Sequence, residues 1–350
     1  MTNDPRPRLR DFGIAPGHFP TGPLNAITDV EGVAVGHVTL MEGDTIRTGA
    51  TAILPHQGNL HADKVPAGFA VYNGYGKFAG STQIEELGEL ESPILLTNTL
   101  AVGRAIEAIN RWTLAQPGNE KVTSINAVVG ETNDSRLNDI RAGRPTVEEL
   151  SLALHQAQAG IAIEEGGVGA GTGTVAFGYK GGIGTSSRKV KTGDQMFTVG
   201  VLVQSNYGGS LRIDGRPLTL AEHDKDGSIV MIVATDAPLD SRNLQRLATR
   251  TFAGLARTGS AMSNGSGDYA LAFSTSLDCR RTPERRRSIS LQPSLPNERI
   301  SPLFEAVIEA TEEAILCSLV AAQRVDGFNA ASGKPSSFDA LPHTALTTHK

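Results

Sequence analysis

A chain of 350 residues is long enough to bury a large core, as one big domain or two. Its 32 basic and 37 acidic residues leave a net charge of −5, which gives no electrostatic case for nucleic acid or an anionic membrane surface. Two cysteines without metal-ligand spacing fit a reducing compartment, and no stretch reaches transmembrane length, so a cytoplasmic protein is expected.

Met1 to about Phe12 reads as a loose polar arm without the apolar core of a signal peptide. Asn25–Val30 and Gly32–Val38 read as short strands with glycine turns, followed by strands over Ala50–Pro55 and Gly68–Tyr75. Leu100–Thr113 carries apolar residues at helical spacing, Val102, Ala105, Ile106 and Ile109 among them. Ser124–Gly130 is a buried strand that delivers Glu131-Thr132-Asn133-Asp134 to its end, and Thr146 caps a helix running to Gln158. The glycine-rich run from Gly166 to Arg188 satisfies neither the dinucleotide fingerprint nor a phosphate loop, so close backbone approach around a substrate pocket is the expectation. Phe197–Gln204 is a strand, and Leu211–Lys225 is polar, proline-bearing and reads as an exposed excursion.

After Asp226-Gly227-Ser228, residues Ile229 to Ala234 contain no polar side chain, the mark of a strand buried on both faces. A helix capped by Asp240 or Ser241 runs to Gly259, and Tyr269–Phe273 is again a strand. Arg280–Asn297 is a basic, proline-rich loop, Ile300–Gln323 is the most strongly helical stretch, and a polar, partly disordered tail is expected from Ala330.

The strand, helix and strand between Ser228 and Phe273 form a plausible crossover. A seven-residue strand spans roughly 23 Å and a seventeen-residue helix about 26 Å. The chain thus returns to the edge where the first strand began, bringing Asn264-Gly265-Ser266-Gly267-Asp268 beside Ser228. This arrangement suits a serine that becomes a new N-terminus by cleavage of the Gly227–Ser228 bond. Its hydroxyl attacks the Gly227 carbonyl, and the ester formed then hydrolyses. The freed α-amine, with an ordinary pKa near ~7.7–8.0, then serves as general base for the Ser228 nucleophile. Ser266 is a partner for that amine or hydroxyl, Asp268 an acceptor that orients the network, and Asn206 and Asn133 are donors suited to an oxyanion. Glu131 is a carboxylate for a substrate's free amine.

Plainer readings stand beside these. Gly–Ser bonds also occur at Ser81, Ser210, Ser260 and Ser266; Ser266 and Asp268 suit a turn; Asn206 suits a strand end; and Glu131 suits a structural ion pair. No nucleophile elbow or zinc-binding His-Glu-x-x-His occurs, and neither metal nor cofactor is expected.

The chain resembles the DmpA-type aminopeptidases, the family of L-aminopeptidase/D-esterases and β-peptidyl aminopeptidases. Ordered matches run from Asn25-Ala26-Ile27-Thr28-Asp29-Val30 through Gly130-Glu131-Thr132-Asn133-Asp134, Val168-Gly169-Ala170-Gly171-Thr172-Gly173 and Lys180–Arg188. They continue through Asn206-Tyr207-Gly208, Asp226-Gly227-Ser228, Ser266-Gly267-Asp268 and the helix Phe304–Leu319. The resemblance implies an α/β fold, a four-layer αββα sandwich, self-cleaved between Gly227 and Ser228 into two subunits that stay together. It divides the chain into an arm (1–20), one hydrolase domain (21–328) and a polar tail (329–350).

It further implies Ser228 as nucleophile, supported by Ser266 and Asp268, with Asn206 at the oxyanion and Glu131 at the substrate's amine. Some relatives carry tyrosine at the Asn133 position, and the acid matched by Asp268 varies between Asp and Glu. Related sandwiches in ornithine acetyltransferases and oligoamide hydrolases use threonine; serine favours the aminopeptidase branch. The expected activity is removal of the N-terminal residue from short peptides, amides or esters, with β-amino and D-residues among the candidates, by a homo-oligomer of processed pairs. Acyl transfer by the same acyl-enzyme and an uncleaved, non-catalytic small-molecule binder are the alternatives.

Overall fold

The computed structural model describes residues 7–218 and 227–347. Asp226 and much of the expected excursion, 219–225, lie outside the described residues. In chain order the main elements are β1 (Ala34–Glu42), β2 (Ile46–Leu54), β3 (Val65–Gly74), β4 (Ile94–Asn98), α1 (Val102–Leu114), β5 (Val128–Thr132) and α2 (Val147–His155). They are followed by β6 (Gly182–Thr192), β7 (Gln195–Asn206), β8 (Ser228–Thr235), α3 (Ser241–Arg257), β9 (Gly267–Ser274) and α4 (Ser301–Val320).

These elements build the expected αββα sandwich. One sheet has the order Phe78–Ala79, β5, β4, β2, β1, Gln158–Ala159; the other runs β6, β7, β8, β9, β3, Glu89–Leu90. Helices α1 and α2 cover the outer face of the first sheet, and α3 and α4 cover that of the second. The period of two along β8 accounts for the layering. Ile229, Met231 and Val233 enter the core beneath the helices, while Val230, Ile232 and Ala234 enter the core between the sheets. Each branched or long side chain buried this way stabilises the fold by about 1.5–3 kcal/mol, so this segment is held at the centre of its sheet.

The crossover forms as expected. Asp240 caps α3 by accepting from the Asn243 N–H at 2.8 Å, and β9 returns parallel to β8 as its direct neighbour. On its other side β8 pairs antiparallel with β7, so that Asn206 lies opposite Ser228 and Ser228 is level with Gly267. Thr146 forms a capping box with Glu149 at the start of α2. Among the described residues no helix is long and apolar enough to cross a membrane.

Four expectations are corrected. Asn25–Val30 is a 3-10 turn over Ile27–Asp29, not a strand. Asn25 takes a left-handed φ of 47°, and the Asp29 carboxylate accepts from the Leu24 and Ala26 N–H groups, local bonds that compete with sheet pairing. The stretch from Gly182 to Arg188 belongs to β6 and none of its residues lines the main cleft. Its glycines serve layer packing: a Cβ on Gly184 would lie 1.9 Å from the Ala314 carbonyl of α4. The N-terminal arm is not loose from Arg8 onward, since Leu9 is buried and Arg8 and Arg10 pair with Glu165 and Glu313. The tail folds back as a hairpin, Val325–Asn329 with Lys334–Phe338, and Leu341 and Leu346 are buried in the core under the helices.

Candidate active site

A cleft of about 580 Å³ opens where the carboxyl ends of β4 and β5 meet the amino end of β8. Ser228, Gly227, Asn206, Glu131, Asn133, Thr99 and Lys77 all line it. The fold thus gathers the expected nucleophile, oxyanion donor and amine-binding carboxylate around one space.

The Gly227–Ser228 peptide bond is held by the strand that follows the helix crossover. The Gly267 N–H donates both to Ser228 Oγ at 3.1 Å and to the Gly227 carbonyl at 3.3 Å. Gly227 has a φ of +145°, and a Cβ there would lie 2.2 Å from the Asn206 carbonyl, so only glycine fits before this serine. Ser266 and Asp268 flank that donor and are buried. The Ser266 hydroxyl donates to Asp268 Oδ1 at 2.5 Å, while Oδ2 is buried without a hydrogen-bond partner among the described residues. Burial raises the Asp268 carboxyl to about 6, partly offset by the Ser266 hydroxyl. In the uncleaved chain it is the Gly267 N–H between these two residues that reaches Ser228 Oγ.

Asn206 is oriented at both ends of its carboxamide. Its Oδ1 accepts from the Val175 N–H at 2.9 Å, and its Nδ2 donates to the Asn133 carbonyl at 3.0 Å. Asn133 therefore contributes in a way the sequence reading did not foresee. Its side-chain oxygen accepts from the Ser135 N–H at 3.0 Å, and its backbone carbonyl steers Asn206.

Glu131 is the penultimate residue of β5 and is buried. Its Oε1 accepts from the Lys77 N–H at 2.9 Å, its Oε2 accepts from the Thr99 hydroxyl, and the Lys77 ammonium stands 3.8 Å from Oε1. The parallel pairing of β4 with β5 sets Thr97 level with Glu131, which brings Thr99 to the carboxylate just beyond the strand end. Tyr269 lies nearby, its phenol pushed up to about 12 by burial and by the Glu131 and Asp268 carboxylates, so it remains a neutral donor. Lys77, Thr99 and the Val175 N–H escaped the sequence reading. The strand-end position of Thr99 was a usable signal, whereas a backbone N–H leaves none in the residue type.

Comparison with known proteins identifies the family and the fold. The family model described as peptidase family S58 matches residues 25–332. The chain is 40% identical over 354 aligned positions to the β-peptidyl aminopeptidase BapA of Sphingosinicella xenopeptidilytica, covering 92% of this chain and 87% of that one. A crystal structure of the PH0078 protein from Pyrococcus horikoshii OT3 superposes with a TM-score of 0.90 at 44% identity, covering 98% of each chain. The L-aminopeptidase D-Ala-esterase/amidase of Ochrobactrum anthropi, described as a prototype of the serine aminopeptidases and a variant of the Ntn hydrolase fold, superposes with a TM-score of 0.86 at 35% identity over 97% of each chain. With the family model matching most of its length and its sandwich of the same fold, the chain belongs to peptidase family S58 and is a peptidase of the serine aminopeptidase type.

Proposed function

We propose that the chain cleaves itself between Gly227 and Ser228 and that the product is an N-terminal-serine aminopeptidase. The observation that carries this reading is the bifurcated donation of Gly267 N–H to the Gly227 carbonyl and Ser228 Oγ. It sets the attacking oxygen and the carbonyl under attack against one shared donor. The Ser228 Oγ adds to the Gly227 carbonyl carbon, its proton passes to the nitrogen, the C–N bond breaks, and the nitrogen leaves as the new α-amine. Water then cleaves the ester, leaving a carboxylate on Gly227. The pieces, 1–227 and 228–350, stay together because β8 lies between β7 and β9, its backbone bonded into both.

In the mature form the α-amine takes the Ser228 hydroxyl proton as Oγ attacks the substrate carbonyl. Asp268, beside Ser266, is the carboxylate that steadies that amine as it gains the proton. The second Nδ2 hydrogen of Asn206 supports the oxyanion, and Glu131 holds the substrate's ammonium. The amine then protonates the leaving group, and water attacks the acyl-Ser228 ester. Asn133, on the cleft wall, contacts the bound residue. Because only the amine and the carbonyl are gripped, the backbone length between them is loosely specified. Short peptides, amides and esters, with β-amino and D-residues included, are the proposed substrates, in keeping with the names of the relatives. Two buried free cysteines, Cys279 and Cys317, support a cytoplasmic setting. The fully exposed Ile289 and Leu291 supply apolar surface for a homo-oligomer of processed pairs.

The test is the denatured intact mass of the purified protein beside a Ser228→Ala variant. Two fragments ending at Gly227 and beginning at Ser228, with one intact chain in the variant, are expected. A single intact chain in both would defeat the reading and favour an uncleaved binder.

A further inference from the structure

Lys180 is fully buried, far from any ordinary use of a lysine. Its ammonium donates to three backbone carbonyls, those of Gly171 at 2.7 Å, Thr174 at 2.9 Å and Gly181 at 2.7 Å. An ammonium has three N–H donors and no acceptor. Three converging carbonyl oxygens therefore match the charged form and would oppose the lone pair of a neutral amine.

One of these carbonyls matters more than the others. The Thr174 C=O and the Val175 N–H belong to the same peptide unit. The oxygen of that unit accepts from Lys180, and its N–H donates to Asn206 Oδ1 at 2.9 Å. Beyond Oδ1 lies the Nδ2 of the same carboxamide. Two amide groups thus stand in series, every donor pointing the same way, between a buried cation and the Nδ2 of Asn206, a residue that lines the cleft.

We infer that Lys180 is a positioning residue for catalysis, which polarises and orients the Asn206 carboxamide through the Thr174–Val175 peptide unit. Hydrogen bonds in a chain strengthen one another by roughly 10–30% each, and a cation at the head drives the polarisation in one direction. The end of the chain becomes a better donor to an oxyanion, where charge appears only as the reaction proceeds. The cation also fixes the plane of the peptide unit, and with it the aim of Nδ2. This inference rests on the assignment of Asn206 as the oxyanion donor.

The experiment compares Lys180→Gln with the parent, each alone and combined with Asn206→Ala, using alanine and β-alanine p-nitroanilides. Glutamine keeps a donor for the carbonyls but removes the charge; Lys180→Arg, which keeps the charge, serves as the second variant. Removing an oxyanion donor outright costs about 10²–10³ in kcat, so Lys180→Gln is expected to lower kcat about tenfold with KM within twofold. In the Asn206→Ala background it should add less than twofold. A purely structural role predicts multiplied losses in the double variant, and that result, or an unchanged kcat, would overturn the inference.

A second readout does not need turnover. The side-chain amide nitrogen of Asn206, assigned by its loss in Asn206→Ala, should shift in Lys180→Gln and stay near its parent position in Lys180→Arg. If the parent hydrolyses no anilide, the aminopeptidase reading has failed, and an Asn206 amide resonance that does not move still defeats the relay. If Lys180→Gln does not fold, Lys180→Arg decides: parent-like kcat and resonance support the inference, and a kcat loss that persists in the Asn206→Ala background overturns it.

Discussion

The two walls of the cleft are built by different means. On one wall Asn206, Ser228 and Gly267 occupy neighbouring positions on three hydrogen-bonded strands of a sheet buried on both faces. On the other, Glu131 is gripped by Thr99, just past a strand end, and by Lys77, an exposed residue entering the short strand Phe78–Ala79. A one-residue slip on the first wall would turn Ser228 or Asn206 to the other face, so strand register holds the reacting groups in place. The second wall can change its surface residues without touching the sheet. Loss of kcat should therefore concentrate on the first wall and changes in KM on the second.

The strongest challenge to that division is Asn206→Ala. Loss of an oxyanion donor is expected to lower kcat by about 10²–10³ while leaving KM within a fewfold. Steady-state kinetics on an amino-acyl anilide checks this, and a change confined to KM would place Asn206 among the binding groups. Next in size is Glu131→Gln. A hydrogen bond to a charged group contributes about 1.5–3 kcal/mol, so kcat/KM should fall roughly ten- to a hundredfold, mostly through KM. An ester of the same acyl group lacking the amine should be hydrolysed equally by parent and variant. An equal loss with that ester would show that Glu131 does not read the amine.

The same division describes what was legible in the sequence. The run Ile229–Ala234 and the capped helix after it indicate a buried strand and a crossover, and those two facts bring Ser266, Gly267 and Asp268 to Ser228. Glu131 and Asn206 were found because charged or amide side chains at strand ends are conspicuous. The Gly267 and Val175 N–H groups were not, because a backbone donor looks alike at every residue and only register says where it points. Gly184 and its neighbouring glycines were misassigned to a pocket wall for a related reason, and Lys180 among them drew no reading of its own. A glycine-rich run has the same composition whether it admits a ligand or, as here, lets α4 approach β6 and lets carbonyls converge on a lysine. Lys77 lies in another part of the chain from Glu131, and no spacing rule connects them.

The carboxylate of the first wall offers a test by pH. Burial raises Asp268 to about 6, well above its range in an unfolded chain. A carboxyl raised on folding stabilises the protein below the unfolded range, and that stabilisation is lost as pH rises through about 6. The uncleaved Ser228→Ala chain isolates the effect, since no new ammonium forms beside the carboxylate. Asp268→Asn in that background should gain on its parent between pH 4 and pH 7, by on the order of 2 kcal/mol, and then level off. Glu165 and Asp134, each raised to about 7 by burial, tilt both chains alike and cancel in the difference. Urea unfolding at each pH reads it directly. A difference that does not vary with pH would mean that Asp268 is ionised throughout and is matched by a partner on folding.

The smallest expected effect lies on the second wall and has an unusual sign. The Lys77 ammonium stands 3.8 Å from Glu131 Oε1, where the proposed function seats a substrate's ammonium. Its side chain is exposed, so the pair is worth only about 0.2–1 kcal/mol, and binding must displace it. Lys77→Met keeps the backbone N–H that meets Glu131 and removes the competing charge. KM for an amino-acyl anilide should then fall by a factor of about 1.4 to 5, the range that this energy allows, with kcat unchanged. Added salt should shrink the gap between parent and variant, because screening weakens an exposed pair in the parent already. A rise in KM would mean that the ammonium holds the substrate instead of blocking it. The second wall would then recognise a carboxylate as well as an amine, and peptides with a free C-terminus would be favoured over anilides.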